Sequence, residues 1–225
     1  MFVRFNDRTD AGRQLARMLA HLRGENVIVL GLLRGGVAVA YEIAHQLGAP
    51  LDVLNVRKIG VPWHPELAMG AIGAGDVRVL NNDIIMATGV TRETLDEEIA
   101  LQRSEIDRRE RLYRGGRAAP KLTGRVVVLV DDGIASGATV RAAIAVVRAQ
   151  NPAKLVLAAP VAQASVAAEL TREVDEWICV RRPADLYAIS VWYDHFPQLT
   201  DQDVRAILSR AQTDASTPAP LDVPS

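Results

Sequence analysis

The sequence has one cysteine, almost no net charge and no long hydrophobic run. The single cysteine, Cys179, excludes an intrachain disulfide framework. It fits a reducing cytosol, so we expect a cytoplasmic protein in which Cys179 belongs to the core. Lys and Arg total 26 against 27 Asp and Glu, which argues against a non-specific binder of nucleic acid or membranes. The longest apolar runs, such as LVLAAPVA, are too short to span a bilayer.

The sequence also lacks a signal-peptide pattern and internal repeats, which leaves a simple domain organisation. The first residues, MFVRFNDRTDAGRQ, contain no apolar segment of the kind found in signal peptides, so we expect none. No internal repeat is present. With 225 residues and 49% hydrophobic content, the chain fits one large α/β domain with a real core, which we place at residues 1–210. Residues 211–225 are rich in Pro, Ser, Thr and Ala and are predicted to form a disordered tail.

Strand and helix patterns alternate along much of the chain, which indicates right-handed βαβ units and a parallel sheet. Continuous apolar runs predict strands buried on both faces, and stripes of apolar residues predict helices. The sequence predicts helices over 10–24, 35–48, 91–113, 138–150, 165–174 and 200–208. It predicts strands over 26–33, 51–58, 126–130, 155–159, 177–180 and 186–193, with a hairpin or two short strands within 68–80.

Three of these segments carry specific predictions. Met18 is expected on the buried stripe of the first helix, which Gly24 would end. The stretch IGVPWHPEL, residues 59–67, has two prolines and a glycine and is predicted to be a loop. Thr91 is the predicted N-cap of a long charged helix with acids early, bases late and one solvated face.

The stretch VVVLVDDGIASGAT, residues 126–139, carries the chemistry. A buried strand runs into Asp131 and Asp132 and then into a loop of small residues that enters a helix. Free N–H groups at a helix start bind anions, and Ser136 and Thr139 add hydroxyl donors. The two acids would repel a phosphate held directly against them. We therefore expect the phosphate to bind the loop and the ribose that carries it to lie against the acids. Ligands of open parallel sheets bind at such strand ends.

Other sites with related patterns fit this stretch less well. A P-loop requires Gly-x-x-x-x-Gly-Lys-Ser/Thr, and here the lysine is missing and the spacing differs. The dinucleotide fingerprint Gly-x-Gly-x-x-Gly is absent as well. A receiver domain has its paired acids on an early strand, whereas this pair comes late. A merely polar turn would not combine two adjacent aspartates with Gly, Ser, Gly and Thr.

This stretch resembles the signature of the type I phosphoribosyltransferases almost throughout. Ser136 stands where threonine is usual and keeps the hydroxyl, and Ala135 stands where many members have threonine. With DRTDAGRQLA, LLRGGV and VRKIGVP…PELAMGAI, it is similar to a bacterial group with no assigned base. The resemblance implies an α/β fold with a doubly wound, mainly parallel sheet, flanking helices and a small hood from 181–210 with part of the N-terminus. The charged helix at 91–113 is not part of the minimal family core.

The resemblance implies that two further stretches bind pyrophosphate. In GLLRGGVAVA, Gly35 and Gly36 free the backbone at a strand-to-helix junction and Arg34 supplies a cation. The family often forms this loop with a non-proline cis peptide, for which the Arg34–Gly35 bond is the candidate. Arg57 and Lys58 lead into the segment where many members have a mobile lid. In that segment His64 is either a phosphate contact or a solvated side chain, and Trp63 is either a lid contact or, as we expect, a packing anchor.

The acceptor site is the least specific part of the sequence. DLYAISVWYDHF is similar to the segment by which purine-type members stack and read the base. On that resemblance Tyr187 is the stacking ring, Asp194 the polar reader and Trp192 a pocket neighbour. The alternative is that Tyr187, Trp192 and Phe196 are ordinary core or interface aromatics.

The resemblance implies a phosphoribosyltransferase that uses 5-phosphoribosyl 1-diphosphate and Mg²⁺, transfers phosphoribosyl to a nitrogenous base or related acceptor, and releases pyrophosphate. Mg²⁺ would bind mainly through the substrate, with the two aspartates reaching it through water. A homodimer is expected. The alternatives are a non-catalytic regulator that binds a nucleotide or the diphosphate sugar, and use of that sugar with water or an unusual acceptor. The predicted catalytic residues are Asp131, Asp132, Lys58 and Arg34, and the predicted 5-phosphate site is Gly133, Ile134, Ala135, Ser136, Gly137, Ala138 and Thr139.

Overall fold

The computed structural model describes residues 4–75 and 77–216. The strands, in chain order, are β1 (Val27–Leu32), β2 (Leu51–Leu54), β3 (Val56–Val61), β4 (His64–Gly73), β5 (Arg78–Leu80), β6 (Val126–Val130), β7 (Lys154–Val161) and β8 (Glu176–Arg181). The helices are α1 (Arg8–Met18), α2 (Gly35–Leu47), α3 (Asn82–Thr88), α4 (Arg92–Arg114), α5 (Ala138–Arg148), α6 (Ala164–Leu170) and α7 (Asp201–Ser216).

A five-stranded parallel sheet in the order β2-β1-β6-β7-β8 forms the centre of the fold. Helices α1 and α2 pack on one face of the sheet, and α5 and α6 pack on the other. Every residue of β1 and β6 is buried, as expected for strands covered on both faces. The predicted doubly wound, mainly parallel fold is therefore confirmed, and the strand at 126–130 has the predicted bounds.

A second, antiparallel sheet has the order β3-β4-β5 and lies beside α5. The prediction of a loop over 59–67 is wrong, because this segment ends β3, turns at Pro62 and begins β4. The prolines are compatible with a hairpin since Pro62 lies in the turn. Pro65 lies at a register shift, where Val61 pairs with His64 but Gly60 pairs with Ala68. Of the hairpin or two short strands expected within 68–80, the hairpin is present as the antiparallel pair β4 and β5, although β4 begins earlier, at His64.

Helix α4 joins the two sheets. Thr91 caps its N-terminus by accepting from the Thr94 N–H, as predicted. Its apolar residue Ile106 is fully buried against the antiparallel sheet. Near its C-terminus, the buried Arg114 donates to the carboxylate of Asp52 at 3.1 Å. Asp52 lies on β2, which is an edge strand of the parallel sheet. The helix is thus fixed at both of its packed surfaces.

The C-terminal segment packs on the N-terminus rather than extending the sheet. The predicted strand at 186–193 is wrong, because residues 189–192 form a 3₁₀ helix. Trp192 and Tyr193 belong to a cluster with Phe5, to which Tyr193 is joined by a single β-bridge. The antiparallel sheet fits the small hood of the predicted fold class, while the assignment of 181–210 as hood stays a prediction.

Several boundaries differ from those predicted, and the strand predicted over 51–58 is divided between β2 of the parallel sheet and β3 of the antiparallel sheet. The first helix ends at Met18, which is 45% exposed, and a 3₁₀ turn separates it from Gly24. Helix α7 begins with a capping box formed by Thr200 and Asp203 and continues to Ser216, so the predicted tail cannot start at 211. The rest of that predicted tail lies outside the described residues. Across residues 4–75 and 77–216, no helix combines the length and apolar character that crossing a membrane requires.

Candidate active site at the carboxyl ends of the parallel strands

Asp131 and Asp132 follow β6 directly, at the edge of the sheet where β1 also ends. Their environments differ. Asp132 is 9% exposed, and its Oδ2 accepts from the Nε of Arg8 at 2.8 Å. Its backbone carbonyl accepts from the Tyr193 hydroxyl at 2.6 Å. Asp132 is therefore held on both its side chain and its backbone.

Arg8 is the partner that sequence reasoning missed. It is buried, its guanidinium lies 3.8 Å from the centre of the Phe196 ring, and it also donates to the carbonyl of Pro197. The ion pair joins residues 124 positions apart, so only the fold reveals it. The stretch DRTDAGRQLA, which resembles the family, contains Arg8 and was the available signal.

Asp131 is half-buried and has no cationic partner within hydrogen-bonding distance among the described residues. Its Oδ1 accepts from the N–H of Asp132 at 2.9 Å. Burial, and next the negative charge of Asp132, raise the pKa of Asp131 well above its ordinary value. A cation or a row of hydroxyl donors at this carboxylate would relieve both effects.

The loop after the acids forms a cup of about 230 Å³, lined by residues 131–140 and Ile189. Gly137 has φ +73° and serves as the N-cap of α5, so the backbone turns sharply before the helix begins. Among the described residues, no protein acceptor binds the N–H groups of Ser136, Gly137 and Thr139. These donors point to an anion at the start of α5. Ile189, which sequence reasoning did not select, faces the predicted phosphate loop.

The β1–α2 junction lies against the same acids. A Cβ on Gly36 would come within 2.5 Å of the Val130 carbonyl, and one on Gly35 would collide with the Asp132 carboxylate. Both glycines are therefore needed for the two loops to approach each other. The cis peptide bond in this junction is Leu33–Arg34, one residue before the bond considered from the sequence.

Two of the predicted cations lie on β3, and the third, Arg34, lies in the β1–α2 junction itself. Arg57 and Lys58, on β3, line a cleft of about 640 Å³ that also contains Ser136 and Thr139 of the phosphate loop. The Nζ of Lys58 lies 3.1 Å from a carboxylate oxygen of Glu66. We call Gly35, Gly36 and residues 131–139 the loop side, and Arg34, Arg57 and Lys58 the cationic side.

The residues of the predicted base site are dispersed. Tyr187 is 94% exposed, and Trp192 is buried in the cluster around Phe5. Asp194 lies on the surface, with an oxygen 3.8 Å from Arg4. Trp192 thus fits the alternative of a packing aromatic, while Tyr187 does not. Trp63 is 64% exposed at the tip of the β3–β4 hairpin, so the expectation that it packs is wrong. Cys179 is buried, as expected.

The donor set at the acids suits a hard cation that a ligand also holds. Within the described part of the chain, no group of three or more His, Cys, Asp or Glu side chains could enclose a metal. Two adjacent carboxylates are present, and Mg²⁺ is typically bound by one or two carboxylates together with substrate phosphates. The site therefore fits Mg²⁺ carried by a phosphorylated substrate and not a dedicated protein cage.

Known proteins share these features. Residues 6–181 match the model of the "Phosphoribosyl transferase domain" family. A Mycobacterium tuberculosis protein named "Putative phosphoribosyl transferase" is 48% identical over 218 residues, which are 97% of this chain and 49% of that protein. The chain thus spans about half the length of the curated relatives it matches.

A solved structure agrees over nearly the whole chain. The crystal structure of TT1426 from Thermus thermophilus has a TM-score of 0.85 and 42% sequence identity. The match covers 92% of this chain and 99% of that one. With the family match across most of the chain, these similarities show that the protein is a member of the type I phosphoribosyltransferase family.

Proposed function

We propose that the protein binds 5-phosphoribosyl 1-diphosphate with Mg²⁺ and transfers the phosphoribosyl group to a nitrogenous base or related acceptor, releasing pyrophosphate. The family supports the general transfer reaction. The observation that carries the proposal is that Arg57 and Lys58 line one cleft together with Ser136 and Thr139 of the phosphate loop, although these residues are far apart in sequence.

The 5-phosphate would bind the cup formed by residues 133–139. Its oxygens would accept from the N–H groups of Ser136, Gly137 and Thr139, at the positive end of the α5 dipole. The phosphate is remote from the reacting carbon, so its binding energy serves to orient the sugar. Ile189 would border the same cup from the C-terminal segment.

The ribose would lie over Asp131 and Asp132. Asp131, the less buried of the two, would accept hydrogen bonds from the ribose hydroxyls. As the bond to pyrophosphate breaks, positive charge develops on the sugar, and the negative field of this carboxylate stabilises it. Asp132 would contribute mainly through its fixed position, because Arg8 already occupies one of its oxygens.

The pyrophosphate would bind the cationic side together with the backbone of Gly35 and Gly36. Arg34, Arg57 and Lys58 would stabilise the negative charge that develops on the leaving group. Bound Mg²⁺ would supply further neutralisation of the diphosphate oxygens. On the protein it would be held through water by Asp131 and Asp132, whose carboxylates are adjacent in the chain.

The test is release of pyrophosphate from the diphosphate sugar in the presence of a panel of nitrogenous bases, with Mg²⁺ added. Asp131→Asn should lower turnover at least about tenfold, since a charge that acts in the transition state is lost. Asp96→Asn, an exposed aspartate of α4 remote from the cup, is the matched control and should keep full activity. Binding of the sugar without release by any acceptor would instead indicate the regulator.

The remaining expectations concern the whole protein. We propose a cytoplasmic location, which the single, buried cysteine fits. A homodimer also remains a proposal. The acceptor would enter beside the C-terminal segment, where Tyr187, Trp192 and Asp194 stay the proposed base-side residues. Of these, Tyr187 has the exposure that stacking on a base requires.

A further inference from the structure

Arg57 differs from the other cations of the cleft in the partner that holds it. Its Nε donates to the amide oxygen of Gln102, on α4, at 2.9 Å. Lys58 lies against Glu66, and Arg109 against Glu105, so the charges of both are partly neutralised. No acidic side chain of the described chain forms an ion pair with Arg57. A neutral amide thus fixes the guanidinium without cancelling its charge.

Arg34 is connected to the same helix through one intermediate. Its Nη1 lies 3.7 Å from Oδ1 of Asp201, and that oxygen also accepts from the Tyr113 hydroxyl at 2.6 Å. Burial, followed by the hydrogen bond to Asp201, raises the pKa of Tyr113 to about 12. The Tyr113 hydroxyl, by donating to Asp201, keeps that carboxylate in place beside Arg34.

Gln102 and Tyr113 lie on one face of α4, because eleven residues make slightly more than three full turns at about 3.6 residues per turn. The helix is anchored to neighbouring strands near both of these residues. The side-chain amide of the buried Asn55 donates to the Ile106 carbonyl at 3.2 Å, and Arg114 donates to the Val53 carbonyl at 2.9 Å. A helix anchored in this way can hold two side chains at a constant separation.

We propose that α4 positions the two arginines of the cationic side, Arg57 through Gln102 and Arg34 through Tyr113 and Asp201. Gln102 and Tyr113 are positioning residues, since the groups that touch the diphosphate are the arginines. This inference rests on the proposed function. It assigns a role to the charged helix that the minimal family core does not contain.

The test is calorimetric titration of the full chain with two probes, the Mg²⁺ complex of 5-phosphoribosyl 1-diphosphate and ribose 5-phosphate. Both reach the phosphate loop, but only the first reaches the cationic side. Gln102→Leu and Tyr113→Phe should each weaken binding of the diphosphate sugar about three- to tenfold, the usual effect of one hydrogen bond. Binding of ribose 5-phosphate should not change. Ser104→Ala, exposed on the same helix, is the matched control.

Gln102→Glu separates positioning from a merely structural hydrogen bond. It keeps an acceptor for Arg57 but adds a charge that competes with the diphosphate, so it should weaken the diphosphate sugar more than Gln102→Leu does. Wild-type affinity in all three variants would overturn the inference while leaving the proposed function standing. Equal weakening of both probes would also overturn it, since that indicates general damage. Failure of the wild type to bind the diphosphate sugar would instead contradict the proposed function.

Discussion

The loop side and the cationic side of the cleft are built in opposite ways. On the loop side, a buried ion pair, main-chain donors and glycines without room for a Cβ fix the geometry. On the cationic side, Lys58 is paired with Glu66, whose side chain is 85% exposed, and Arg34 is itself partly exposed. Changes on the loop side should therefore alter folding and binding together. Changes on the cationic side should alter binding almost alone.

The largest effect on stability is expected from Asp132→Ala. The substitution leaves the buried guanidinium of Arg8 without its carboxylate, which typically costs about 3–5 kcal/mol. The measurement is urea denaturation. Asp96→Ala removes the carboxylate of an exposed pair with Arg92 at 3.9 Å and should cost less than about 1 kcal/mol. Equal losses in the two variants would show that the loop side does not depend on its buried pair.

Gly36→Ala should have the next largest effect. Its Cβ would meet the Val130 carbonyl, which is backbone of the central sheet and cannot move aside, so we expect a loss of about 1–3 kcal/mol. Gly133→Ala is the comparison, because its Cβ meets the Ile189 side chain, which can rotate. The measurement is thermal unfolding of both variants. A larger loss of stability in Gly133→Ala than in Gly36→Ala would contradict the account.

Asp131→Asn should stabilise the protein while it removes activity. The pKa of Asp131 is raised in the folded state, so the wild type loses stability as pH rises from about 3.9, the ordinary value, through that raised pKa. The asparagine variant lacks this loss. Its melting temperature should exceed that of the wild type increasingly as pH rises above the ordinary value and then by a constant amount. A difference that shrinks with rising pH would show that Asp131 is not electrostatically strained.

Lys58→Met should change stability least. Its ion pair with the exposed Glu66 contributes about 0–1 kcal/mol, yet the lost charge should weaken the diphosphate sugar about tenfold or more. Lys154→Met is the control, since Lys154 pairs with Glu176 at 2.7 Å outside the cleft. A comparable loss of affinity in the control would mean that net charge, and not the cationic side, governs binding.

The comparison also explains what could be predicted from the sequence. The strand at 126–130 and the acids and small residues after it could be predicted from local sequence. A strand buried on both faces and a strand-to-helix turn each produce a recognisable pattern in consecutive residues. The approach of Gly35 and Gly36 to these acids follows from the general position of sites in parallel sheets. The loop side was therefore largely predictable.

The features that could not be predicted depend on contacts between residues that are distant in sequence. No local pattern pairs Arg8 with Asp132, Tyr113 with Asp201 or Gln102 with Arg57. The hairpin over 59–67 was hidden by Pro62 and Pro65, which a turn and a register shift accommodate. Trp192 and Tyr193, at the end of the segment 186–193, pack with Phe5 and are not part of a strand. In each case tertiary packing outweighs the local preference.

The most direct test of the central claim is calorimetric titration of the wild type with 5-phosphoribosyl 1-diphosphate, with and without Mg²⁺. We expect binding that requires Mg²⁺ and is weakened in Asp131→Asn and in Lys58→Met. Absence of binding to the folded wild type in the presence of Mg²⁺ would contradict the claim that the two sides of the cleft form one site for this sugar.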